Sequence, residues 1–353
     1  MSDEPEVDGQ GLPRVRTLLR AGLASGALGL VVLGVAWIAT SRFELDDEQL
    51  SLLEGTRWVY LVPSIALLMS GLVCVGMRWR ALIPDSRRVG RVGISGIVCS
   101  GFLLNYALPG PAGELISAAL VDRVYGVRTS VALAASLHSR VVGLATAGGI
   151  ALIAWATGAL PVPEGYEGMI GAATLVLGVG VLGLGVLSAW PGIILTIASW
   201  TLGPLERLPG ALGRGVAGLH RAVRAVAEAL ASVGHLGVRS YAVALGWSTL
   251  GYLMVAGGMW AACIALGVTA SPAGLLFSHA AASAGMVVLF AFPGAQLGWD
   301  ALLCAFLVAG AGISLTAALA VATVIRVQFL VAMLVGAAAL WVLLPRKAAE
   351  PSG

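Results

Sequence analysis

Leu108-Pro109-Gly110-Pro111-Ala112-Gly113-Glu114 interrupts an apolar run that extends from residue 92 to residue 123. A proline inside a helix removes a backbone donor, clashes with the preceding turn and pushes the residue before it towards extended backbone. The run is therefore predicted to be two half-helices separated by a break at Pro109, Gly110 and Gly113. The same device returns in Phe292-Pro293-Gly294-Ala295-Gln296-Leu297-Gly298-Trp299-Asp300, inside the apolar run 273–311, with Pro293, Gly294 and Gly298 as the break residues. Downstream of the first break come Glu114, Gly126 and Arg140. Downstream of the second come Asp300, Gly312 and Arg326, each 186 positions after its counterpart.

Composition sets the solvent of this pattern. Of 353 residues, 58% are hydrophobic and only 11% are charged, whereas a soluble domain is about 25% charged. Further apolar runs lie at about 18–40, 57–79, 129–157, 168–190, 240–267 and 315–344. Most reach the roughly 20 residues needed to cross a bilayer as a helix. The expected class is an all-α polytopic membrane protein. No short alternating strands of the β-barrel type are present. The 48 glycines suit close helix approach in lipid, as at Gly22 and Gly26. The run from Ala21 to Thr40 exceeds a signal-peptide core and reads as a retained span. Cys74, Cys99, Cys263 and Cys304 have no metal or redox spacing and read as small core residues. The net charge of +3 is spread over loops, which excludes a clustered nucleic-acid face.

Loop charge then orients the runs, because cytoplasmic loops are rich in Lys and Arg. Arg14, Arg16 and Arg20 place the N-terminus inside. The first loop, with Glu44, Asp46, Asp47, Glu48 and Glu54, lies outside. Arg78, Arg80, Arg87, Arg88 and Arg91 place the next loop inside, and Glu164 and Glu167 place residues 158–167 outside. The segment 191–239, with Arg207, Arg214, Arg221, Arg224 and Arg239, reads as inside, as does the tail with Arg346 and Lys347. Between 78–91 and 158–167 only one crossing is allowed, yet two apolar segments intervene. The run 92–123 is therefore predicted to enter and return, and by the same reasoning so is 273–311, from the opposite side. The expectation is about six full spans plus two oppositely oriented re-entrant hairpins, eight hydrophobic segments in all, forming an inverted repeat. A single transmembrane domain over 18–345, with repeat-like halves at about 57–157 and 240–344, is flanked by cytoplasmic tails at 1–17 and 346–353. Residues 211–234 carry apolar positions at 4,3 spacing and are predicted to form a cytoplasmic amphipathic helix.

The charges inside the apolar runs are the candidate site. One charge at the bilayer centre costs about 2.5–3.5 kcal/mol on insertion scales, so Glu114, Arg140, Asp300 and Arg326 are expected to be paired with one another, with backbone or with a polar ligand. A carboxylate in the first turn of a half-helix also favours the positive end of the helix dipole, so structural capping and ligand binding are both open roles. Asn105 is placed to bond backbone freed at the first break. Asn105, Glu114, Arg140, Asp300 and Arg326 are therefore the candidate substrate-binding residues. His138 and His279 are expected to be helix-packing hydrogen bonders. Asp122, Arg123 and Arg128 are expected to be solvated or snorkelling. Trp37, Trp58, Trp79, Trp155, Trp190 and Trp341 lie near span ends, as an aromatic belt does. No metal site, cofactor motif or catalytic constellation is present, so no cofactor and no enzymatic activity are expected.

The stretch from Phe102 through Asn105 to Glu114, the segment Gly126–Arg140 and the segment Phe292–Arg326 resemble the lysylphosphatidylglycerol synthase transmembrane-region family, a flippase-like membrane domain, over roughly residues 20–345. The resemblance implies lipid translocation without aminoacyl transfer, since the soluble synthase domain is absent. Cargo of that kind would be an aminoacylated phospholipid or a polyprenyl-phosphate-linked sugar. The chain departs from the family pattern at Pro111 and Ser117, where arginine is frequent. It departs again at Trp299-Asp300, where Arg-Glu is usual, and around Arg140, where Ser139 and Gly143 replace acids. Three readings follow. The first is a cytoplasmic-membrane flippase or lipid-linked carrier transporter whose partners are membrane lipids. The second is a proton-coupled small-solute transporter. The third is a non-transporting membrane partner of a lipid-modifying or glycan-assembly enzyme.

Overall fold

The structure is a computed structural model that describes residues 54–107, 112–160, 190–206, 236–289 and 295–343, with isolated positions at 52, between 162 and 179, and between 216 and 231. The predicted span at 18–40, the break residues Pro109, Gly110, Pro293 and Gly294, and most of 168–190 and 211–234 lie outside the described residues. Among the described residues nine α-helices follow in order: α1 (Leu61–Ala81), α2 (Arg91–Ala107), α3 (Ala112–Tyr125), α4 (Thr129–Ala156), α5 (Pro191–Glu206), α6 (Val238–Ala265), α7 (Pro272–Leu289), α8 (Ala295–Ala311) and α9 (Leu315–Leu343). No strand occurs among the described residues.

Length sorts these helices. Four are long and apolar enough to cross a membrane: α1 with its preceding turn from Trp58, α4, α6 and α9. Helices α2, α3, α7 and α8 have 17, 14, 18 and 17 residues. At 1.5 Å per residue they span about 21–27 Å, short of a hydrocarbon core about 30 Å thick. The order long, short, short, long therefore occurs twice, as α1–α4 and as α6–α9.

Packing repeats in the same way. Helix α2 packs on α9 as α7 packs on α4, and α1 touches α9 as α6 touches α4. Within each set, successive helices touch in the same order. The two sets meet along α1 and α6, where Ser64 meets Gly258, Gly71 meets Val255, Cys74 meets Gly251 and Arg78 meets Ser248. Numbers rise along α1 as they fall along α6, so these equivalent helices run antiparallel. Small residues make the approach possible: a Cβ on Gly71 would lie 2.6 Å from Val255, and one on Gly96 would lie 2.9 Å from the Gly336 carbonyl on α9. Such stripes replace the hydrophobic effect as the basis of packing in lipid. Polar side chains add to it. Ser64 donates to the Gly258 carbonyl or to Gln328 Oε1, at 2.8 and 2.7 Å, joining α1, α6 and α9.

The turns explain why glycine recurs in the doubled pattern. Gly126 (φ 68°) and Gly312 (φ 70°) both adopt left-handed backbone between the second short helix and the long one that follows. This conformation costs other residues roughly 1–2 kcal/mol. Side chains then cap the long helices. Asp122 accepts from the Thr129 amide and hydroxyl at 3.0 and 2.8 Å at the start of α4, and Ser314 accepts from the Ala317 amide at 3.2 Å at the start of α9.

Two expectations are corrected here. Asp122 is half-buried and serves as this cap, because the tight Gly126 turn brings it back to Thr129; Arg123 and Arg128 are exposed as expected. Trp79 is not part of an aromatic belt. It is buried and donates from Nε1 to the Ala132 carbonyl at 3.0 Å, whereas Trp58, Trp155 and Trp190 are exposed. A further helix, which no apolar run had marked, follows Trp190. Pro191 opens α5, since proline is well accommodated in a first helical turn, and Ile193, Ile197, Trp200 and Leu205 stand exposed along it. All four cysteines are buried and free, as expected.

Candidate functional site

In the first set, α2 and α3 come so close that a Cβ on Gly113 would sit 2.2 Å from the Gly101 carbonyl oxygen. That approach puts Asn105 beside the amino end of α3. Its Oδ1 accepts from the Gly113 amide at 2.9 Å, satisfying one of the donors that a helix start leaves open. Its Nδ2 donates to Glu114 Oε1 at 3.1 Å. The same carboxylate oxygen is ion-paired with Arg140 Nη2 from α4. Glu114 Oε2 is buried and has no hydrogen-bond partner. Glu114 therefore occupies the first turn of α3, where the helix dipole favours it, and is pinned by an amide and a guanidinium.

In the second set the equivalent acid and arginine also pair. Arg326 Nε donates to Asp300 Oδ1 at 2.8 Å, and its Nη2 reaches the same oxygen. Here the surroundings are aromatic. The Arg326 guanidinium lies 5.0 Å from the centre of the Trp299 ring, within cation–π range. Trp299 contacts Phe329 and His279 edge-on at 6.1 and 6.3 Å between ring centres, and His279 lies 5.2 Å from Tyr252.

The two sites face one cavity of about 300 Å³ lined by all eight helices of the two sets. Four of the five candidate binding residues line it: Asn105, Glu114, Arg140 and Arg326. Asp300 does not, and acts on the cavity through Arg326. The pairs differ in which member is open. Arg140 is 34% exposed and Glu114 11%, while Arg326 is 6% exposed and Asp300 27%. Of the two histidines, His279 lines the cavity, whereas His138 is buried away from it against the Tyr241 hydroxyl, 3.1 Å from its Nδ1.

Arg78 is a site residue that sequence reading missed. Its position among five basic residues marked it as a cytoplasmic loop charge. Instead it ends α1 facing inwards, with Nε donating to Ser139 Oγ at 2.9 Å and Nη1 to Ser248 Oγ at 3.0 Å. The guanidinium lies against Gly143 of α4, where a Cβ would come within 2.5 Å of Nη1. Tyr252 donates to the carbonyl of the same Gly143 at 3.3 Å. The one available signal was negative: Gly143 and Ser139 stand on the turns flanking Arg140, small residues where bulk would otherwise fill the core.

No curated protein and no solved structure matches the chain significantly. The family model described as the lysylphosphatidylglycerol synthase TM region matches residues 18–336. The long apolar helices and this match together make the chain a multi-pass membrane protein, and it belongs to the lysylphosphatidylglycerol synthase TM region family.

Proposed function

We propose that this protein is a flippase or lipid-linked carrier transporter of the cytoplasmic membrane, and not an enzyme. The anionic headgroup of its lipid passes through the shared cavity while the acyl chains remain in the bilayer. The observation that carries this reading is the convergence of Arg140 with Glu114, from one half, and Arg326, from the other, on a single cavity at the meeting of the two sets. Charges at membrane depth otherwise carry a penalty with no return. A volume of about 300 Å³ is at the small end for ligand sites and suits a headgroup better than a whole lipid. The short lengths of α2, α3, α7 and α8 and the antiparallel course of α1 and α6 support two oppositely oriented re-entrant hairpins, and the basic residues of the two ends support cytoplasmic termini.

The test is leaflet exchange of fluorescent phosphatidylglycerol in vesicles holding the purified protein, read with an impermeant quencher. Arg140→Ala and Arg326→Ala should each slow exchange severely. Normal exchange by a folded double variant would overturn the proposal.

One observation favours a second reading, proton-coupled solute transport: Glu114 Oε2 is buried without a partner, where a transferable proton could sit. That reading requires solute uptake driven by a pH gradient and abolished by Glu114→Gln, with no lipid exchange.

A further inference from the structure

The ionised side chains around the cavity do not balance. Glu114 neutralises Arg140, and Asp300 neutralises Arg326. Arg78 lines the same cavity and has no carboxylate within ion-pair distance among the described residues; its two partners are the neutral hydroxyls of Ser139 and Ser248. Three arginines against two acids leave one positive charge. Buried charges are ordinarily paired, because an uncompensated one costs several kcal/mol. A guanidinium has five N–H donors in a planar fork. Here one on Nε and one on Nη1 go to serines, which leaves donors on both terminal nitrogens.

The seat of this group is built. Gly143 provides a flat patch of α4 with no side chain, and the two serines fix the fork from α4 and α6. Nothing among the described residues of the other half repeats it. At the offset of 186 positions that relates the two halves, the equivalent of Arg78 on α6 falls at Ile264, an apolar residue. The charge therefore is not a by-product of the repeated scaffold. Arg80, two residues on, shows the alternative fate of a span-end arginine: its Nε donates to the Val89 carbonyl at 2.7 Å, on the loop.

We propose that Arg78 is the anion-recognition residue of the cavity and takes a singly charged phosphodiester, whose two unesterified oxygens match the remaining guanidinium donors. One uncompensated cation matches one negative charge, which fits a diester headgroup and disfavours a zwitterionic one. Arg78 thus sets specificity among lipids, given the lipid-transport reading above, on which this assignment of a lipid source rests. The same chemistry is offered by a soluble diester such as glycerophosphoglycerol.

The experiment compares exchange of fluorescent phosphatidylglycerol with that of fluorescent phosphatidylcholine, and uptake of labelled glycerophosphoglycerol, in vesicles holding the full chain. Arg78→Ala should lower phosphatidylglycerol exchange about tenfold to a hundredfold, the range for losing hydrogen bonds to a charged group, and should erase its advantage over phosphatidylcholine. Gly143→Ala keeps the charge and helical backbone but displaces the fork, and should lower the same ratio. Arg78→Lys should recover part of the rate, since a point charge lacks the planar fork. Arg88→Ala, an exposed residue paired with Asp85, should change nothing. If Arg78→Ala does not fold, Gly143→Ala and Arg78→Lys decide. Lipid exchange with an unchanged phosphatidylglycerol preference in the folded variants overturns the role of Arg78 and leaves the flippase reading intact. Arg78-dependent uptake of glycerophosphoglycerol without lipid exchange keeps Arg78 and overturns the flippase reading.

Discussion

The two halves share a scaffold but not a surface. In the first, Asn105 and Glu114 hold Arg140 within a hydrogen-bonded polar group, and Arg78 lies across the same cavity wall. In the second, Asp300 holds Arg326 under Trp299, with His279 and Phe329 edge-on to that ring and Tyr252 tilted against His279. The open member of the first pair is the arginine, and the open member of the second is the acid. What is repeated is the means of keeping two charges in a membrane: a short helix that carries a carboxylate, in the first turn at Glu114 and in the second at Asp300, a left-handed glycine, and a long helix that returns an arginine. What is not repeated is the chemistry offered to a ligand, polar on one side and aromatic on the other.

The contrast can be broken at the pairs. Arg326→Ala strands Asp300 and removes a guanidinium that is only 6% exposed, so a loss of about 3–5 kcal/mol is expected. Arg140 is 34% exposed and water shares its role, so Arg140→Ala should cost less, about 1–3 kcal/mol. Thermal unfolding of both variants in one detergent ranks them, and a larger loss at Arg140 would reverse the contrast. The shared scaffold is probed at the hairpin seams. A Cβ on Gly113 or on Gly274 would each meet a backbone oxygen at 2.2 Å, so Gly113→Ala and Gly274→Ala should each cost about 1–3 kcal/mol. A loss confined to one seam would deny their equivalence. At the turns, Gly126→Ala and Gly312→Ala should cost roughly 1–2 kcal/mol each, in step with one another by the same measurement. The smallest effect is expected at Gly149, which has nothing within 4 Å of an added Cβ; Gly149→Ala should raise stability by about 0.5–1 kcal/mol.

Sequence made the scaffold legible because membrane solvent leaves few options. Apolar length marked α1, α4, α6 and α9 within a few residues, and prolines marked the ends of α2, α3, α7 and α8. The cost of charge in lipid marked Glu114, Arg140, Asp300 and Arg326 as paired with one another, with backbone or with a ligand, and the structure shows the first of these. The site was legible only in part. Arg78 carried the same charge as its neighbours Arg80, Arg87 and Arg88, and only its direction at the end of α1 separates it from them. The aromatic wall was hidden because Tyr252, His279, Trp299 and Phe329 come from four helices with no shared spacing. Trp79 was misread because a tryptophan near a span end has two structural uses, as a belt residue or as a buried donor.

The central claim is that both halves line one site through which the headgroup moves. Ser136 of α4 and Ser283 of α7 line the cavity from opposite halves, and the four native cysteines are buried. The direct measurement is phosphatidylglycerol exchange by Ser136→Cys and Ser283→Cys before and after a bulky, charged thiol reagent, with Ser199→Cys on exposed α5 as control. Labelling at either cavity position should stop exchange, anionic lipid should slow the labelling of both, and labelling at residue 199 should do neither. Exchange that continues at the unlabelled rate with both cavity positions modified would contradict the account.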